Sequence, residues 1–288
     1  MGKKSALEKS DTPFYVIFTD LDGTLLDHDT YEWKEAEPAL DLCKNLGVSV
    51  VFVSSKTRAE METLRRKIAI SDPFISENGG GIFFSDTDFQ DLLPNSVPVS
   101  SPEGLWKLSL GLPYTHLIKA LQEIREELGL NLKGFSDMRV DEISHLTGLD
   151  PDAARVAAMR EFDEPFIIGG ERPGDERAVI KAAEQRGLSV SAGGRFYHLQ
   201  GGNDKGQSME IIISCYERSY GEVTSIALGD SPNDFPMLER ADYPVLVRSQ
   251  HEFPWLKEKI PRLRVSRETG PTGWNSMVLN ILKTSLSA

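Results

Sequence analysis

No stretch of this chain approaches the ~20 consecutive apolar residues that a bilayer span requires, so a membrane protein is not expected. Its first residues, Met1 to Ser10, are polar and lack the apolar core of a leader. Ala6 stands where a myristoylation signal after Gly2 would want Ser or Thr. Cysteine is scarce as well. Cys43 and Cys215 lie far apart in helical patterns, which predicts buried free thiols in a reducing, cytoplasmic setting. Neither has a second ligand at metal spacing, and neither do His28, His116, His145 and His251. Positive charge is in deficit: 32 Lys and Arg stand against 44 Asp and Glu, a formal net charge of −12. A nucleic-acid surface needs the opposite balance. A small anionic substrate remains open, provided that a local cluster of cations or a metal receives it. No internal repeat or low-complexity segment is present, and nothing signals an oligomeric state.

What is present is ordinary globular material: 288 residues, 40% hydrophobic and 26% charged, enough for two domains. The chain is organised around Phe18-Thr19-Asp20-Leu21-Asp22-Gly23-Thr24. The run Phe14 to Phe18 before it reads as a buried strand. Asp20 and Asp22 follow as the strand runs out, where α/β sheets open toward ligands. Two carboxylates so close repel unless a cation or a shared proton relieves them. Gly23 permits a sharp turn, and Thr24 offers a hydroxyl. Taken alone, this motif is as readily a strand ending in an Asp-Gly turn.

Downstream, the expected order is a helix over 35–46 stopped by Gly47, a buried strand over 48–54, a helix from about 56 to 68, and a hairpin of 73–76 with 82–84. This alternation predicts a doubly wound parallel sheet. A Pro- and Ser-rich loop spans 94–102. After it come helices over 114–128, 151–160 and 175–186, with Asp150 capping the second. Short strands lie at 132–135 and 166–168, and a hairpin pairs 188–191 with 195–199, so this stretch reads as an inserted α+β domain. The first pattern then resumes with a helix from Lys205, a strand over 223–228, the loop 229–234, a helix through 237–241, a strand over 244–247 and a final helix over 274–286. The fold class is therefore α/β. Its parallel, Rossmann-like core comprises 13–92 and 201–288, an α+β insert comprises 93–200, and 1–12 form a disordered tail.

Four polar clusters follow core strands or open a helix: Asp20 with Asp22, Ser54 beside Ser55, Lys205, and Asp230 with Asn233 and Asp234. Carboxylate and carbonyl oxygens suit a hard cation such as Mg²⁺. An ammonium and a hydroxyl suit phosphate oxygens. Phosphoryl transfer needs positioning and neutralisation of spread charge, which such a set supplies. One carboxylate as nucleophile splits the reaction in two, and the other can protonate the leaving group and then activate water.

These motifs, in this order, resemble the haloacid dehalogenase (HAD) superfamily of phosphatases. Asp20-Leu-Asp-Gly-Thr matches its first motif, Ser54 its second, Lys205 its third and Gly229-Asp230-Ser-Pro-Asn-Asp234 its fourth. The resemblance covers nearly the whole chain and puts the family's larger cap domain where the insert lies. It implies Asp20 as nucleophile and Asp22 as general acid/base. It implies Mg²⁺ held by Asp20, Asp230 and the Asp22 carbonyl, with Asn233 and Asp234 in support. Ser54 or Ser55, with Lys205, would bind phosphate. Ser54-Ser55-Lys56-Thr57-Arg58, Glu77-Asn78-Gly79, Asp163-Glu164-Pro165-Phe166, Arg195-Phe196-Tyr197-His198 and Gly270-Pro271-Thr272-Gly273-Trp274 are similar to mannosyl-3-phosphoglycerate phosphatases. That branch implies hydrolysis of a phosphorylated glycosyl glycerate to mannosylglycerate, a compatible solute. Lys56, Glu77, Asn78, Arg195 and His198 would then contact the substrate. A glucosyl substrate, other sugar phosphates, a phosphomutase and a catalytically silent sugar-phosphate sensor are the alternatives. Asp234 could equally cap the helix after it, and His198 could be a structural histidine.

Overall fold

The apolar run after Pro13 forms the strand Phe14–Thr19, buried from Val16 onward. The computed structural model describes residues 13–85, 87–170, 172–193 and 196–285, so the expected tail over 1–12 and Arg195 lie outside them. The fold is α/β, with a mostly parallel sheet and a separate antiparallel one. Two compact units divide it. The first takes the described residues through Val53, the helix Thr87–Leu92 with its flank to Pro94, and the chain from Met209 onward; the second takes Ser54–Ser85 and Asn95–Ser208.

In the first unit five parallel strands run in the order Arg264–Thr269, Tyr243–Arg248, Val223–Gly229, Phe14–Thr19, Ser49–Val53. Parallel neighbours need helical crossovers, and the amphipathic segments supply them. Helix Glu37–Leu46 has Pro38 in its first turn and ends on Gly47 at φ 68°, a left-handed stop that glycine adopts without strain. The closing helix Gly270–Ser285 buries Trp274, Val278, Ile281 and Leu282. Asn275 Oδ1 accepts the Ala39 N–H at 3.0 Å, fastening the two helices. The strand Arg264–Thr269 was not expected. It is an edge strand rich in Arg, Ser and Glu, with a single buried residue, so no apolar pattern marks it.

The second unit carries an antiparallel run ordered Phe74–Ser76, Gly81–Phe84, Trp106–Ser109, Val97–Pro98. The expected hairpin is there. The expected loop over 94–102 holds a two-residue edge strand, where Pro98 is tolerated. The strand Trp106–Ser109, past the expected junction at 92, pairs with Gly81–Phe84. The other sheet is antiparallel throughout, ordered Leu132–Gly134, Asp163–Ile168, Phe196–Gln200, Ser189–Gly193. Helices Tyr114–Leu128 and Asp175–Glu184 pack on it through Leu117, Leu121, Ile124, Val179 and Ala183 against Phe166 and Leu199. A second apolar cluster joins Phe135, Ile143 and Ala154. Asp150 caps helix Pro151–Ala157 as expected, accepting the N–H groups of Asp152 and Ala153. Both cysteines are buried, and neither is in a disulfide among the described residues. Among the described residues, no helix is long and apolar enough to cross a membrane.

Phe166→Ala removes a fully buried ring from this core and should cost about 3–5 kcal/mol, measured by chemical denaturation.

Candidate active site

Asp20 sits one residue beyond its strand, and its N–H donates to the Leu228 carbonyl at 2.9 Å, aligning it with the end of the neighbouring strand. Behind it, Trp274 Nε1–H donates to Thr19 Oγ1 at 2.9 Å, and that hydroxyl donates to the Asp20 carbonyl at 2.7 Å. The buried indole thus fixes the backbone of the aspartate, which gives the late Gly-Pro-Thr-Gly-Trp sequence a physical role. After Asp22 the chain turns tightly: Gly23 N–H and Leu26 N–H donate to Leu26 O and Leu21 O, respectively. Gly23 has φ 78°, and a Cβ there would lie 2.8 Å from Asp230 Oδ2. Only glycine allows that approach.

The loop after Val223–Gly229 is built around Asp234. Its Oδ2 accepts the N–H groups of Asp230 and Ser231, each at 3.0 Å, and the side chain is fully buried. Asp234 does not use its side chain to cap the helix Phe235–Arg240. Gly229 makes room for it, since a Cβ there would meet Asp234 Cβ at 2.4 Å. Asp20, Asp230 and Asp234 each offer an oxygen within 4.8 Å of the others. Full charges at that spacing repel by about 3 kcal/mol per pair at an effective dielectric of about 20. Three crowded carboxylates beside a glycine that cannot accept a side chain fit a hard divalent cation. Asp22 is outside this triad, consistent with a role through its carbonyl or as a proton carrier.

Asn233 lies in the same loop, its Oδ1 accepting from Ser231 Oγ, and the other expected residues that are described belong to the second unit. Ser54 is buried, and its Oγ accepts the Lys56 N–H at 3.2 Å, so it shapes the start of the loop. Thr57 and Glu60 form a capping box that starts helix Arg58–Ile68. Glu77 and Asn78 are both left-handed, at φ 48° and 54°, an uncommon pair for residues with side chains. Their turn is held on three sides. Glu77 N–H donates to Lys56 O, and Asn78 N–H donates to Ser54 O. Gly79 approaches the Asp204 carbonyl so closely that a Cβ would sit 2.3 Å from it, and Ser208 Oγ donates to Gly79 O. The third tie is Glu77 itself. Expected to touch substrate, it is fully buried, and its carboxylate accepts the N–H groups of Glu161 and Phe162. Its side chain thus holds the loop from within. Asn78 is likewise buried.

Lys205 opens helix Lys205–Tyr220 and is fully buried, a place an ammonium occupies only with oxygen partners. His198 lies on the antiparallel sheet, and its Nδ1 is 2.7 Å from the buried Asp163 carboxylate. Arg160, unremarked in the sequence, joins these parts. Nη2 donates to Ser55 O at 3.0 Å and to Asp163 Oδ2, and Nε is 3.6 Å from Glu77 Oε2. The clue was available: Arg160-Glu-Phe-Asp-Glu is dense in charge, yet it enters an apolar strand.

Burial pushes the Glu77 carboxyl up to about 7, against the pull of Arg160 and with a further push from Asp163. Asp163 is also desolvated, but His198 and Arg160 outweigh that and hold its carboxyl below the usual range.

Comparison with known proteins adds a second line. Residues 17–107 match the haloacid dehalogenase-like hydrolase family. Over 93% of its length the chain is 38% identical to the glucosyl-3-phosphoglycerate/mannosyl-3-phosphoglycerate phosphatase of Methanococcoides burtonii, covering 97% of that protein. Over 81% it is 37% identical to the mannosyl-3-phosphoglycerate phosphatase of Pyrococcus furiosus, covering 90% of it. Among solved structures, a phosphatase of the haloalkanoate (HAD) enzyme superfamily from Bacteroides thetaiotaomicron superposes with TM-score 0.66 at 17% identity, covering 98% of each chain. A HAD subclass IIB sugar phosphatase gives 0.63 at 14% identity, covering 94% of this chain and 98% of that one. At such identities these two likenesses concern the fold.

The folded protein retains the Glu77 proton to higher pH than the unfolded chain does. Its contribution therefore favours folding below about 4.5 and is lost as pH rises through about 7. Glu77→Gln should flatten the stability–pH profile in that window, measured by urea denaturation at several pH values. Gly229→Ala forces the Asp234 side chain to move and should lower turnover about tenfold or more while the circular dichroism spectrum is unchanged.

Proposed function

The chain belongs to the haloacid dehalogenase-like hydrolases and is a phosphatase acting on phosphoric monoesters, and from that premise we propose that its substrate is mannosyl-3-phosphoglycerate. The observation that carries the chemistry is the triad of Asp20, Asp230 and Asp234 at the ends of two paired parallel strands. The identity to relatives named for this substrate supports the choice of ester. One of those names also covers the glucosyl compound, which is the second reading.

In the proposed reaction an Asp20 carboxylate oxygen attacks phosphorus, and the bond to the glycerate oxygen breaks. Asp22, protonated at that moment, gives its proton to the departing alkoxide, releasing mannosylglycerate. The aspartyl phosphate is then attacked at phosphorus by water, whose proton Asp22 takes back, and phosphate leaves with Asp20 restored. Mg²⁺, held by Asp20, Asp230 and the Asp22 carbonyl, would neutralise phosphate charge. Asn233 and Asp234 hold the Asp230 loop in place. Lys205 with Ser54 or Ser55 binds the phosphate oxygens. The inserted segment 93–200 acts as the cap, and Lys56, Arg195 and His198 receive the glycerate and sugar.

The test is phosphate release with Mg²⁺ or with a chelator. The substrates are mannosyl-3-phosphoglycerate, glucosyl-3-phosphoglycerate, 3-phosphoglycerate, mannose 6-phosphate and p-nitrophenyl phosphate. Preference for the mannosyl compound that chelation abolishes is expected. Equal, weak release from all would discard this substrate, and release from none would favour a mutase or a sensor. Asp20→Asn should lower turnover by about a thousandfold or more while substrate still binds.

A further inference from the structure

The sheet residue His198 and the Ser54–Lys56 loop are linked by two buried side chains that the reaction itself does not use. Starting from the loop, Arg160 Nη2 reaches the Ser55 carbonyl at 3.0 Å and the Asp163 carboxylate at its other side. Arg160 Nε also donates to the Asp163 backbone carbonyl at 3.2 Å. Asp163 Oδ2 in turn lies 2.7 Å from His198 Nδ1. Asp163 is fully buried, and Arg160 is 4% exposed. Glu77, equally buried, has Oε2 3.6 Å from Arg160 Nε. So much charge removed from water is costly unless every group is held by another, and substitution of such groups by apolar ones is often neutral or stabilising. A chain that keeps them has some use for the geometry they impose.

The geometry dictates which ring nitrogen carries hydrogen. Asp163 stays ionised, held so against its burial by the Arg160 charge and by the hydrogen bonds it accepts, and an ionised carboxylate only accepts hydrogen bonds. The hydrogen between it and His198 must then reside on Nδ1. Nε2 is the nitrogen left over, and among the described residues nothing else bonds to the ring. The strand pairing places His198 opposite Pro165, with Gln200 opposite Asp163, so the carboxylate reaches the ring from the neighbouring strand. Asp163 Oδ1 is buried without a hydrogen-bond partner among the described residues, a cost accepted to aim the other oxygen.

We infer that Asp163, clamped by Arg160, is a positioning residue that fixes His198 with Nδ1–H turned inward and Nε2 presented to accept a hydroxyl of the substrate's sugar. The relay thereby sets the preference for a glycosyl-bearing phosphate ester over a bare aryl phosphate. The inference rests on the proposed function for the sugar as hydroxyl donor. Arg160 holds the Ser55 carbonyl by a hydrogen bond of its own, so that loop contact does not pass through Asp163. Substrates that lack the hydroxyl bypass the relay.

The experiment compares kcat and KM for mannosyl-3-phosphoglycerate and p-nitrophenyl phosphate in the wild type, Asp163→Ala and Asp163→Asn. Alanine removes the acceptor; asparagine restores one through its carbonyl oxygen. Asp163→Ala should raise KM for the glycosyl ester about tenfold or more with kcat little changed, leave the aryl ester unaffected, and be rescued by asparagine. Equal losses on both esters would mark a merely structural role and overturn the inference, as would an unchanged preference. Should the alanine variant not fold, ¹⁵N NMR of the wild-type protein decides: a proton on His198 Nδ1 protected from exchange is expected, and an Nε2–H tautomer overturns the inference. A wild type that prefers another glycosyl phosphate ester refutes the proposed substrate but not the relay, which is then tested on that ester. A wild type with no preference refutes both.

Discussion

Three carboxylates gathered within 4.8 Å are the constraint around which the first unit is built. Nothing about like charges brings them together, so the backbone must. The parallel pairing of Phe14–Thr19 with Val223–Gly229 puts Asp20 and Asp230 at adjacent strand ends. Two glycines then remove the side chains that would keep the loops apart, and Trp274 pins the first strand from behind through Thr19. Asp234 turns one of its oxygens to the loop's own N–H groups, so part of the negative charge is met by backbone dipoles. The rest is a standing attraction for a cation, and a phosphatase of this family uses one to approach a dianionic ester.

The second unit solves a different problem with the same means. Its Glu77-Asn78-Gly79 turn joins three segments that are remote in sequence: the Ser54–Lys56 loop, the start of the Lys205 helix, and residues 160–162. A buried carboxylate is expensive, yet here two N–H groups and a nearby guanidinium meet it. Glu161 adds an outer layer, pairing with Arg58 and Lys107. The expected binding residues thus rest on a hydrogen-bonded base rather than on free loops, which is what orientation of a substrate with several polar groups demands.

Much of this was legible in the residue order. Strands such as Phe14–Thr19 and Ser49–Val53 announce themselves because burial on both faces leaves polar residues only at their ends. The helix Tyr114–Leu128 follows its apolar period to both ends. Edge strands were missed for the converse reason, as Arg264–Thr269 and Val97–Pro98 bury almost nothing. The short helix Val140–Thr147 buries Ile143 alone, too little for a period to show.

The sequence by itself determined the fold class and which aspartates stand at adjacent strand ends, because those motifs are local and each stands beside the element that positions it. It could not determine the work of Glu77, Arg160, Asp163 and Trp274. Glu77 is a buried strut, and Arg160, unremarked in the sequence, is buried beside two carboxylates. Only tertiary structure decided these, because the cost of burying a polar or charged group depends on partners that can lie 35 to more than 200 residues away in the chain, as for His198 with Asp163 and Trp274 with Thr19.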